Sequence, residues 1–99
     1  MNTITITGRI VREATLEIKG DVTLAKTTIA SDRSRSKESA TDFLDIVAFG
    51  DAAGQLASLA KGAFVRVTGS LRSNAYDAKD GSRRKSATIS VRKIEWDRP

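Results

Sequence analysis

Residues 41–62 read TDFLDIVAFGDAAGQLASLAKG, and this stretch decides the fold. From Thr41 to Gly50 the apolar positions alternate. Leu44, Ile46 and Ala48 fall on one face; Phe43, Asp45, Val47 and Phe49 fall on the other. A period of two marks a half-buried strand. The period then changes. Asp51 is a good helix N-cap, Leu56, Leu59 and Ala60 form a short apolar stripe, and Lys61-Gly62 is a stop signal. The stretch predicts a strand followed by one helix of about ten residues. Gly54 inside that helix weakens it by about 1 kcal/mol relative to Ala, so packing must hold it.

Outward from this unit the chain reads as strands. Thr3 to Ile10 alternates strictly, with Thr3, Thr5 and Thr7 opposite Ile4, Ile6, Gly8 and Ile10. Gly8 signals a bend or a close backbone approach. The pattern resumes at Leu16 and Ile18 and breaks at Lys19-Gly20-Asp21, a turn. Val22 to Ala30 is a second strand whose mixed faces leave its register open. Ser31 to Ala40 is polar, Ser-rich and basic, and reads as a loop. Ala63 to Leu71 is a fourth strand, with Val65, Val67, Gly69 and Leu71 aligned. Asp77 to Gly81 is a hairpin turn. Lys85 to Trp96 is a fifth strand, with Ala87, Ile89 and Val91 on the core face. Ile94 and Trp96 are out of phase with them, which predicts a bulge or the strand's end. Five strands with one short helix between the third and fourth is the order of an OB-fold, an all-β Greek-key barrel. At 99 residues the chain is read as a single domain, 1–99. Only 39% of its residues are hydrophobic, so an oligomer interface is expected to supplement a small core.

Composition excludes much chemistry. With no Cys and no His there are no disulfides, no thiol nucleophile, no Ser-His-Asp triad and no Cys/His zinc site. The carboxylates are scattered without metal-ligand spacing, and no phosphate-cradling Gly motif occurs. No catalytic residue, metal or cofactor is expected, and the chain is read as a binding protein rather than an enzyme. No apolar run approaches the length of a membrane span, and MNTITITGRI has no signal-peptide pattern, so a cytoplasmic protein is expected.

The charge is uneven. There are 17 Lys+Arg against 12 Asp+Glu. Residues 61–93 hold 9 basic and 2 acidic side chains, whereas residues 1–60 hold 7 and 8. A basic segment favours a polyanion, although each cation taken singly reads as solubilising charge. A single-strand binder also needs aromatic platforms for bases. Phe43 and Phe49 share a strand face, but alternation alone leaves open whether their rings stack on bases or pack inside. Tyr76 precedes a basic hairpin and fits either a half-exposed binding site or a cross-strand contact. Arg33, Arg35 and Lys37 alternate with Ser in the long loop; Arg72, Arg83, Arg84 and Lys85 frame the hairpin. Together with Tyr76 they outline a nucleic-acid path. Trp96, flanked by Glu95 and Asp97, reads as a structural plug or interface residue.

MNTITITGRI, TDFLDIVAFGDAAGQLASLAKGAFVRVTGSLRS and AYDAKDGSRRKSATISV resemble the bacterial single-stranded DNA-binding protein family, and the likeness runs from Asn2 to Ile94. The resemblance implies an OB-fold that assembles as a homotetramer and protects single-stranded DNA in replication, recombination and repair. It implies that Phe43, Phe49 and Tyr76 stack on bases, which decides Phe49 for the exposed reading. It makes Arg72 a strand cation near the DNA, and Arg33, Arg35 and Lys37 part of a contacting loop. It places Gly8 to Ile10 in a strand that also builds a dimer interface. Three features depart from the family. The 33–39 loop has no aromatic, so Arg must stack in its place. Asp45 puts an acid on the expected DNA face. The sequence ends at Pro99, so the expectation is a short form without the acidic recruiting tail. Two other readings fit less well: a dimeric replication-restart adaptor like the primosomal protein N relatives, and an RNA-binding or purely structural OB module.

Overall fold

The computed structural model describes residues 1–32 and 40–97. Alternating apolar residues build six strands and one helix: β1 (Ile4–Ile10), β2 (Thr15–Lys19), β3 (Val22–Asp32), β4 (Thr41–Phe49), α1 (Asp51–Ala57), β5 (Phe64–Asp77) and β6 (Arg83–Trp96). They form one sheet in the order β1-β5-β6-β4-β3-β2, and a further β1–β3 pairing closes it. All neighbours are antiparallel except β4 and β6, which run parallel with Ile46 opposite Ile89. This is the expected all-β barrel, with its helix between β4 and β5.

β1 and β2 are one strand in two pieces. β1 pairs with β5 from Ile4 to Arg9, then switches partner, so that Arg9 and Ile10 lie opposite Ala30 and Ile29. β2 continues along the same side of β3, with Thr15 opposite Lys26. Between them the Val11 N–H donates to the Thr28 carbonyl at 2.9 Å, and the buried Thr27 hydroxyl donates to the Arg12 carbonyl at 2.6 Å. The five expected strands therefore appear as six segments because the first is interrupted after Ile10.

The core lies on the inner faces: Ala25 and Ile29 of β3, Ile46 and Ala48 of β4, Val65 and Val67 of β5, Ile89 and Val91 of β6. Ala53, Leu56 and Leu59 close one end of the barrel beneath and just beyond α1. Asn2 extends the β1–β5 ladder. Its amide nitrogen donates to the Leu71 carbonyl at 2.7 Å, and its amide oxygen accepts from the Leu71 N–H at 2.9 Å.

Several expectations are corrected. The helix has seven residues rather than about ten, and its N-cap is Gly50, not Asp51. Gly50 turns the chain from strand to helix at φ 63, a backbone region that favours glycine, and Asp51 becomes the first helical residue. There it complements the helix dipole. Ala60 lies past the helix end and is exposed, whereas Ala53 is buried. Ser31 and Asp32 belong to β3, paired with Asp42 and Thr41, rather than to the loop. β5 runs on to Asp77 and β6 begins at Arg83, so the hairpin outruns the barrel. Ala87, expected on the core face, is exposed on that projecting part, and Leu71, aligned with Val65 and Val67, is exposed although it lies opposite the buried Ile89. The phase break near Ile94 is a bulge: Thr68 lies opposite Lys93 and Gly69 opposite Val91, leaving Arg92 as the extra residue.

Two glycines mark where strands come closest. A Cβ on Gly8 would lie 2.7 Å from the Ala30 carbonyl oxygen. A Cβ on Gly69 would lie 2.0 Å from the Ser90 carbonyl oxygen and 2.9 Å from its carbon. Gly54 has open space around it. Gly69→Ala should therefore lower the unfolding free energy by about 2 kcal/mol or more, because backbone has to move. Gly54→Ala should raise it by about 0.5–1 kcal/mol by favouring the helix. Urea unfolding followed by circular dichroism checks both, and a neutral Gly69→Ala would refute the close-packing account.

Candidate nucleic-acid interface

The outer face of the barrel is read off the register. Along β4, Phe43, Asp45, Val47 and Phe49 point outward, opposite Ala30, Thr28, Lys26 and Leu24 of β3. On the other side Asp45 lies opposite Thr88 and Val47 opposite Ser90 of β6. Beyond β6, Arg72 of β5 lies opposite Thr88, and Tyr76 lies opposite Arg84. The line Thr28–Asp45–Thr88–Arg72 thus crosses four strands on one face. A groove of about 680 Å³ runs there, lined by Arg12, Lys26, Val47, Phe49, Arg72 and Ser90 among others.

Three aromatic rings stand on this face uncovered. Phe43 is 66% exposed, Tyr76 50% and Phe49 48%. Residues with this much apolar ring surface are usually buried in a monomer's core, so their exposure on one face is informative. Phe43 and Phe49 are separated by six residues of strand, about 20 Å along β4. Tyr76 is carried outward by the projecting β5–β6 hairpin. The hairpin's tip is held locally: the Asp80 carboxylate accepts from the Ser82 hydroxyl at 2.6 Å and its N–H at 3.0 Å, and pairs with Arg84 at 3.2 Å. The Ser82 bonds, and then Arg84, hold the Asp80 carboxyl below its ordinary range.

The cations divide by position along the strands. At the start of β5 and the end of β6, away from Arg72 on the same outer side, Arg66 is bonded to Glu95, and Lys93 lies 3.5 Å from the same carboxylate. The hydrogen bond with Arg66, more than Lys93, holds the Glu95 carboxyl below its usual range, and it raises Arg66 in turn. In the groove, Arg12, Lys26 and Arg72 have no ion pair among the described residues. Uncompensated positive charge therefore lies beside the aromatics, where it can attract phosphate.

Of the expected site residues, the structure brings together Phe43, Phe49, Tyr76, Arg72 and Arg84 on one face. Arg84 is partly spent on Asp80. Arg83 and Lys85 alternate with Arg84 and emerge on the opposite face of the hairpin, so a single surface does not gather all the hairpin cations. Arg33, Arg35 and Lys37 lie outside the described residues. Arg12 and Lys26 were missed, because the charge count places the basic surplus after residue 60. Alternation with Leu24 and Thr28 is a signal that could have found Lys26. Arg12 has no such signal: the break between β1 and β2 puts it in the groove. Trp96 packs against the core, in keeping with a structural plug. It also lines a second pocket with Arg9, Gly62 and Phe64. Among the described residues no cluster of His, Cys, Asp or Glu could hold a metal, and no helix is long and apolar enough to cross a membrane.

Comparison with known proteins places this arrangement. The model of the single-strand binding protein family matches residues 1–97. Single-stranded DNA-binding protein 3 of Clostridium acetobutylicum is 34% identical, with 97% of this chain and 72% of that protein covered. The single-stranded DNA-binding protein of Clostridium tetani is 31% identical at the same coverages, 97% and 72%. That of Streptococcus pneumoniae is 33% identical over 84% of this chain, which spans 56% of that relative. The family consists of non-enzymatic DNA-binding proteins. The match runs through every strand of the barrel and not through one motif, so the chain belongs to the single-strand binding protein family.

Proposed function

We propose that this chain binds single-stranded DNA with little regard to base identity and protects it during replication, recombination and repair. The observation that carries the reading is the placement of Phe43, Phe49 and Tyr76 in the open on one face, beside Arg12, Lys26 and Arg72, which have no ion pair among the described residues. Aromatic rings stack on any base, because every base has a π-face. Cations along the groove neutralise the phosphates between stacked bases. Duplex DNA buries its base faces against one another, so the rings have nothing to stack on. Arg33, Arg35, Lys37, Arg83, Arg84 and Lys85 are further backbone contacts in this reading. The exposed rings favour a coating role over a replication-restart adaptor, which would have no use for them.

The protein acts as a homotetramer in this proposal. The edge of β1 from Ile4 to Gly8 that faces away from β5 is unpaired among the described residues. Phe64 at the start of β5 is 48% exposed, with the Arg9 guanidinium 5.4 Å over its ring. A free edge and a half-covered aromatic are features that association would cover.

Three outcomes are expected. In an anisotropy titration, Phe43→Ala and Tyr76→Ala each weaken binding to oligo-dT by about 1–3 kcal/mol with no change in the unfolding midpoint. Unchanged affinity in both would remove the stacking assignment. Binding to oligo-dT exceeds binding to duplex and falls with salt, with a log–log slope near about −0.7 per phosphate neutralised. Indiscriminate or salt-independent binding would refute the proposal. Light scattering gives four times the 10.7 kDa chain mass; a monomer at micromolar concentration would overturn the tetramer.

A further inference from the structure

We infer that Asp45 biases the groove towards bases carrying an exocyclic amino group, cytosine above all, over thymine. The inference rests on the single-strand reading and names a preference within that site.

Asp45 stands on β4 between Phe43 and Val47, on the face that carries the exposed rings. It lines the groove with Lys26 and Arg72. A carboxylate there repels phosphate, so it does not serve the sugar-phosphate backbone. Nor does it neutralise a neighbour, since Asp45 has no ion pair among the described residues. Among the described residues its carboxylate has one hydrogen bond, from the Thr28 hydroxyl to Oδ1 at 2.8 Å. Thr28, buried on β3, lies directly across from exposed Asp45, so the bond orients the carboxylate from the neighbouring strand. An ionised carboxylate only accepts, with roughly four lone-pair sites. Thr28 takes one, and Oδ2 is left to accept from the groove.

A strand laid over Phe43 and Phe49 keeps its phosphates near Arg12, Lys26 and Arg72, because Asp45 repels them. A base edge is then what meets the carboxylate. The amino group at cytosine N4 is a donor that a carboxylate accepts well. Thymine presents O4 at the same place, an acceptor facing an acceptor, and its one N–H lies between two carbonyls. Single-stranded bases are free to offer these edges. Stacking remains tolerant of sequence, and Asp45 adds a modest bias to it.

The test compares homopolymers of dC and dT of equal length at mildly alkaline pH and fixed salt, with the full chain. The readout is the ratio of dT to dC dissociation constants, in wild type and in Asp45→Asn and Asp45→Ala. Asp45→Asn keeps the size and an oxygen for Thr28 but turns an amide N–H₂ donor outward. We expect it to lower that ratio by about threefold to tenfold, the range for one exposed hydrogen bond. Asp45→Ala should lower it as well, and should strengthen dT binding because the repulsion on phosphate is gone. Both polymers bound with an unchanged ratio in both variants would overturn the inference and leave the single-strand reading intact. No binding of either polymer by the wild-type chain would overturn that reading and this inference together.

Discussion

The structure depends on one constraint: a single sheet must bend far enough for β1 to meet both β5 and β3. The sheet can close only where strands pass with no side chain between them. Gly8 lies at the point where β1 leaves β5 for β3, against the Ala30 carbonyl. Gly69 lies at the bulge where β5 and β6 lose register, against the Ser90 carbonyl. Bulges and glycines of this kind let an ordinary twisted sheet curl into a barrel. Closure then brings β4 and β6 together in parallel, a pairing between segments far apart in the chain.

That closure also produces the outer row beside the exposed rings. Thr28, Asp45, Thr88 and Arg72 come from four strands and from four parts of the sequence, yet they lie in one row. The inner residues of the same strands are the core, so the core and the site are opposite faces of one alternation. Ile46 and Ala48 are buried because Asp45, Val47 and Phe49 are not. The inner face supplies stability, and the rings on the outer face are left without protein cover among the described residues.

Electrostatics sort the outer surface by position. At the start of β5 and the end of β6 the cations are paired, with Arg66 and Lys93 both against Glu95. In the groove, among the described residues, they are not. There Asp45 is held by a neutral hydroxyl. Screening weakens each exposed pair, but the unpaired groove cations still set the sign of the local field.

The sequence by itself determined the strands, the single helix and their order. Periods of two and 3.6 are local properties, and in TDFLDIVAFGDAAGQLASLAKG they change within one residue of Gly50. It also put forward Phe43, Phe49, Tyr76 and Arg72, because alternation and the likeness to single-stranded DNA-binding proteins both bear on those residues, and the register sets all four on the outer face. Element ends were less legible. The helix stops at Ala57 because α1 only has to cover one end of the barrel, and its cap is Gly50 because the chain must reverse there. Only the tertiary structure decided which cations share the groove. Arg12 enters it through Thr27 holding the break after β1, and Arg83 and Lys85 leave it because the hairpin alternates past the barrel's edge. The physical reason is that a face is read from local period, whereas a neighbour across the sheet depends on register between distant strands.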